Sequence, residues 1–81
     1  MNPERAREIL DTDIDTDYEG FAKGIAIIGK YAKGKFNYNF GHEQMWFGDF
    51  EETVEQMAED EVNQLHLYGW FEDEDSWSHF S

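Results

Sequence analysis

Cysteine is absent from this 81-residue chain, which excludes a disulfide framework and a thiolate zinc site and fits a reducing cytoplasm. Proline occurs once, at position 3, so no proline-rich hinge divides the chain, and no internal repeat or low-complexity linker is present. No apolar run approaches the roughly 18 residues of a membrane-spanning helix. The basic–apolar pattern of a secretion signal is missing too, and anionic lipid repels an acidic surface. The expected location is cytoplasmic. There is no HExxH, GxGxxG, phosphate loop or nucleophile motif, so neither an enzyme nor a cofactor is expected. The most telling absence is of one charge sign: from Gly41 to Ser81 there is no lysine or arginine.

That same stretch holds twelve Asp and Glu residues. The first twenty residues hold seven acids against Arg5 and Arg7, while residues 21–40 hold Lys23, Lys30, Lys33 and Lys35 and no acid. The blocks carry −5, +4 and −12, a net charge of −13. Such a field repels polyanions and attracts basic surfaces. The short lysine stretch is too weak to make this chain a nucleic-acid binder; it is expected to pair with the acidic blocks. High net charge is also a mark of disorder, but seven Phe, four Tyr and three Trp argue for a core. Aromatic side chains bury roughly 150–250 Å² each, and at about 25 cal/mol per Å² some ten of them supply several tens of kcal/mol before entropy is subtracted. One folded, acid-coated domain over residues 1–81 is the expectation, with a thin margin of stability.

Asn2-Pro3 reads as an N-cap and first helical position, with Ala6, Ile9 and Leu10 on one face. Thr16 and Glu19 form a capping box that starts a second helix near Asp17. Phe21, Ile25, Ile28 and Ala32 make its stripe, Lys30 and Lys33 lie on the favoured end of its dipole, and Gly34 ends it. Gly24 and Gly29 weaken that helix, and close approach by another element is the expected compensation. Phe36–Phe40 alternates aromatic and amide like a strand, Gly41-His42 turns, and Gln44–Phe47 pairs back. Asp49 with Glu52 opens another helical region, with Phe50, Val54, Met57, Ala58, Val62 and Leu65 as stripe and Gly69 as stop. It reads either as one helix over about 50–68 or as two broken near Met57–Glu59. Trp70-Phe71, an acidic turn from Glu72 to Asp75, and Ser76–Phe80 close the chain as a hairpin whose tryptophan and phenylalanine ends, Trp70 and Phe80, are expected in the core. An even loop puts Phe71 and Phe80 on one face; a three-residue loop pairs Trp70 with Phe80. The sum is roughly ααββαββ: an α+β domain with a three- or four-stranded antiparallel sheet covered by helices on one face.

Three acidic constellations stand out. Asp11, Asp13, Asp15, Asp17 and Glu19 alternate; in an extended chain their carboxylates repeat at roughly 6.6 Å, near the spacing of charge along a nucleic-acid strand. The plainer reading is a capping loop. Neither frame of this run has the Gly and Glu that an EF-hand needs. Glu52, Glu55 and Glu59 share a helical face with no lysine four residues away. Glu72, Asp73, Glu74 and Asp75 pack four acids into a turn beside Trp70, Phe71, Trp77 and Phe80, a setting in which arginine-rich surfaces find ion pairs and cation–π contacts. His42, His66 and His79 are too scattered for a metal site and read as structural or surface residues.

Asp17-Tyr-Glu-Gly20, Ile27-Ile-Gly-Lys-Tyr31 and Gly69-Trp-Phe-Glu-Asp-Glu-Asp-Ser-Trp77 resemble short acidic proteins encoded by bacteriophages. The resemblance covers under half the chain and transfers no catalytic residue. It implies host-takeover or anti-defence work, including the anti-CRISPR kind, by inhibition of a nucleic-acid-handling machine, in some cases through DNA mimicry. The implied location is the cytoplasm of an infected bacterium. The expected partner is a basic, nucleic-acid-binding host protein or complex, met by the acids of the three constellations, with no direct contact to nucleic acid or membrane. An alternative is an adaptor that binds through Trp46, Phe47, Phe71 or Trp77, the acids serving solubility. A halophile's acid coat fits less well, because the chain keeps its lysines and large aromatics.

Overall fold

The computed structural model describes residues 1–13, 20–32, 38–41 (backbone) and 44–80. The capping box at Thr16, the carboxylates of Asp15, Asp17 and Glu19, Lys33, the stop at Gly34, the strand start at Phe36 and the turn residue His42 lie outside the described residues. The chain is an α+β domain in the order α1 (Pro3–Leu10), α2 (Phe21–Gly29), β1 (Tyr38–Gly41), β2 (Gln44–Asp49), α3 (Phe50–Gln56), α4 (Glu59–Leu67), β3 (Phe71–Asp73) and β4 (Ser76–Phe80). The four strands form one antiparallel sheet in the order β1-β2-β4-β3.

The sheet has a helix-covered face and an open one. Met45 pairs with His79 and Phe47 with Trp77, and all four side chains are buried beneath the helices. The alternate positions, Trp46 opposite Ser78 and Phe71 opposite Ser78 from the other side, belong to the open face. That alternation corrects the expectation for Phe80. With His79 turned inward, its neighbour Phe80 turns outward and is 59% exposed, against the ring of Phe71 at 4.9 Å. The even-loop register is the one adopted: Asp73 pairs with Ser76 across a two-residue loop. Trp70 is buried as expected.

The N-terminal signals act as read. Asn2 Oδ1 accepts from the Glu4 amide at 2.8 Å, and Asp49 Oδ2 accepts from the Glu52 amide at 2.8 Å, each satisfying a donor the helix cannot. Between 50 and 68 there are two helices. Met57 and Ala58 are extended, and the break has partners of its own. Glu61 Oε1 accepts from the Ala58 amide at 3.0 Å, while the α-amino group of Met1 donates to Glu55 O and Met57 O, both at 3.0 Å. Ala58, placed on the apolar stripe by spacing, is exposed because the break turns it outward. The α4 terminus is a Schellman motif: Gly69, at φ 88, lets its amide reach His66 O and the Trp70 amide reach Leu65 O.

Helix α2 stops at Gly29, earlier than the spacing predicts, with Tyr31 and Ala32 amides both bonded to Ile28 O in a closing turn. Its two glycines differ. Gly24 is buried with the Trp70 indole directly against it, so that any Cβ there overlaps Trp70 Nε1. Gly29 is exposed and nothing approaches it. The compensation read for both glycines exists at one.

Candidate functional site

Two arginines organise the acids. Arg7 lies on α1 and reaches β3, with Nε 2.7 Å from Glu72 Oε1 and Nη2 2.8 Å from Glu72 Oε2. This two-pronged geometry matches a guanidinium to a carboxylate. The same guanidinium is 3.6 Å from Glu51 and sits over the Phe50 ring, 5.2 Å from its centroid. The hydrogen bonds to Glu72 hold Arg7 well above its ordinary pKa. Arg5 bonds Glu59 on α4 at 2.7 Å and its helix neighbour Glu8 at 3.2 Å; its pKa is raised too, first by the Glu59 hydrogen bond. Through these pairs α1 is clamped to α3, α4 and β3.

The acids read from sequence therefore divide. Asp11 and Asp13 are exposed just past α1. Glu72 is tied to Arg7 and is a strand residue, not a turn residue. Asp73 Oδ2 accepts from Gln44 Nε2 and Trp46 Nε1, each at 3.0 Å, on the open face of the sheet. Glu59 belongs to α4 and is tied to Arg5, so the break at Met57–Ala58 removes it from the helix that carries Glu52 and Glu55. Glu52, Glu55, Glu74 and Asp75 are exposed, with no ion-pair partner among the described residues.

The turn and the start of α3 form one acidic corner. The Phe50 amide donates to Asp75 O at 2.8 Å, and Ser76 Oγ donates to Gly48 O at 2.8 Å. These bonds hold Glu74 and Asp75 beside Asp49, Glu51 and Glu52. Both turn residues have positive φ, 52° for Glu74 and 62° for Asp75, a geometry that favours Asn-Gly in such turns. The chain has acids there instead, at the expense of backbone strain.

The lysines lie elsewhere. Lys23 sits over the Tyr68 ring at 5.7 Å, and Lys30 is 3.9 Å from Glu61, the one lysine–acid pair among the described residues. Glu61 also accepts from Tyr31 Oη at 2.7 Å, which raises the Tyr31 pKa, reinforced by burial. His66 bonds Thr12 O at 2.7 Å. His79 is buried, with Nε2 donating to Tyr68 O at 3.0 Å, against Phe21 and Trp70. Among the described residues no group of three or more His, Cys, Asp and Glu is arranged to hold a metal, and no helix is long and apolar enough to cross a membrane.

The two arginine clamps and the exposure of Phe80 are not legible in residue spacing. The Arg5–Glu8 pair was available as an i, i+3 spacing; the reach of Arg5 to Glu59 and of Arg7 to Glu72 depends on tertiary contacts. Of the aromatics offered for an adaptor, Phe47 and Trp77 are buried, and Trp46 and Phe71 are half-buried. A scan of family models, a search of curated proteins and a search of solved structures each return no match for this chain.

Proposed function

We propose that this chain is a non-enzymatic acidic inhibitor that occupies a basic, nucleic-acid-binding surface of a partner protein. The observation that carries the reading is the acidic corner, extended along α3 by Glu55. Glu52, Glu55, Glu74 and Asp75 are exposed and without ion-pair partners among the described residues, while backbone and arginine contacts fix the elements that bear them. A fixed polyanion loses less entropy on binding than a disordered acidic tail does. The scale agrees. The fold is 29 Å in its longest extent and carries −13; B-DNA of that length carries roughly 17 phosphate charges. The resemblance to short acidic bacteriophage proteins makes a host defence or nucleic-acid-handling complex the natural target class. The adaptor reading is weakened, because two of its four aromatic anchors are core residues.

The test is capture from a bacterial lysate on immobilised protein, eluted with a salt gradient, beside a Glu52→Gln/Glu55→Gln/Glu74→Gln/Asp75→Asn variant. The expected result is a partner that elutes early from the variant and late from the parent, since exposed charge pairs act through a screened field. Identical elution from both would contradict the proposal.

A further inference from the structure

A groove of about 470 Å³ runs between α1 and β3. Its apolar lining is Leu10 from the helix and Phe71 from the edge strand, with Phe71 backed by the exposed ring of Phe80 at 4.9 Å; the rest of the lining is charged. Glu4, Glu8 and Asp11 line it from one helical face, at i, i+4 and i+7. The one cation in the lining, Arg7, is already matched by the two-pronged bond to Glu72 and by Glu51 at 3.6 Å, and Glu8 is paired with Arg5 at 3.2 Å, so Glu4 and Asp11 are the lining carboxylates without an ion-pair partner among the described residues. The groove therefore combines a local excess of carboxylate with an aromatic wall.

We propose that this groove seats an arginine side chain from a basic segment of the partner protein. This rests on the acidic-inhibitor reading and gives it a contact point. The aliphatic stem of arginine packs on Leu10 and Phe71, and the planar guanidinium meets carboxylates while lying against a ring. The molecule already uses this chemistry internally, where Arg7 is held by Glu72 across the Phe50 ring. Lysine, a compact and strongly hydrated charge, gains less from a ring-and-carboxylate setting.

The experiment titrates the full chain with an oligo-arginine peptide and its oligo-lysine counterpart, reading affinity by calorimetry and location by amide NMR shifts. The expected shifts centre on Leu10, Asp11 and Phe71, and oligo-arginine binds more tightly than oligo-lysine. Glu4→Gln/Asp11→Asn, two exposed positions without ion-pair partners among the described residues, lowers the oligo-arginine affinity roughly tenfold. Glu52→Gln/Glu55→Gln removes the same charge outside the groove and lowers it roughly threefold, through the general field alone. Asp11→Asn alone is a single-site probe of the same wall, and Phe71→Leu narrows the preference for arginine over lysine. Equal losses in the two double variants, or shifts confined to α3 and the Glu74–Asp75 turn, would overturn the groove and leave the broader acidic reading standing. Failure of both peptides to bind at low salt would overturn both.

Discussion

At the scale of single residues, two glycines in one helix make opposite demands. Gly24 admits the Trp70 indole, whose Nε1 has no hydrogen-bond partner among the described residues. Gly24→Ala is expected to lower stability by about 2 kcal/mol or more, since overpacking a filled site costs about 1–3 kcal/mol. Gly29→Ala meets nothing and is expected to raise stability by about 0.5 kcal/mol through helix propensity. Urea unfolding of the two variants beside the parent checks both signs. Tyr31 supplies a pH signature. Its bond to Glu61, with burial, raises its pKa above the ordinary value of 10.0, so the neutral phenol is favoured in the folded state. The stabilising contribution is complete below that ordinary pKa and is lost as pH rises through the higher folded value. Following the Tyr31 ring by NMR through alkaline pH is expected to show late ionisation, moved earlier by Glu61→Gln. The sequence marks both glycines as weak points in a helix, but it holds nothing to say which one a tryptophan 46 positions later would press against.

At the scale of elements, the local signals were legible and the long-range ones were not. Asn2-Pro3, Asp49 with Glu52, and Gly69 each act within a turn of helix, so their chemistry is written in adjacent residues. The break at Met57–Ala58 was one of two readings, and it is decided by a distant amine and by Glu61. The outward turn of Phe80 depends on the register of a hairpin whose loop length is ambiguous in sequence. The acidic runs were legible as charge, but which acids are occupied depends on Arg5 and Arg7 reaching across the fold. The β3–β4 turn gives the sharpest element-level test. Glu74→Asn with Asp75→Gly places the residues favoured for positive φ at both central positions, and is expected to raise stability by about 1 kcal/mol, read as a higher urea midpoint with unchanged slope. Arg7→Gln removes the α1–β3 clamp and leaves Glu72 half-buried without its cation. It is expected to lower the thermal midpoint more than Arg5→Gln, whose partners are exposed at both ends, and Glu72→Gln in the same background is expected to recover part of the loss.

At the scale of the whole molecule, a net charge of −13 on a body of 29 × 27 × 21 Å is a large one-sided imbalance for a chain that must also fold. Self-repulsion lowers its stability and salt relieves it, so the charge works against the fold that displays it. The acids retained in the Glu74–Asp75 turn, where the backbone favours other residues, carry the same conflict at small scale. The proposed binding of a basic protein surface accounts for both. The arginine seat proposed between α1 and β3 adds a place where one cation of that partner would be held rather than merely attracted. The decisive measurement is competition. With the captured partner bound to immobilised protein at low salt, duplex DNA is added in increasing amounts, and the titration is repeated at higher salt. DNA is expected to displace the partner in proportion to its occupancy of the same basic surface, and affinity is expected to fall steeply with salt. A partner that stays bound under saturating DNA, with the same affinity at low and high salt, would contradict the proposal.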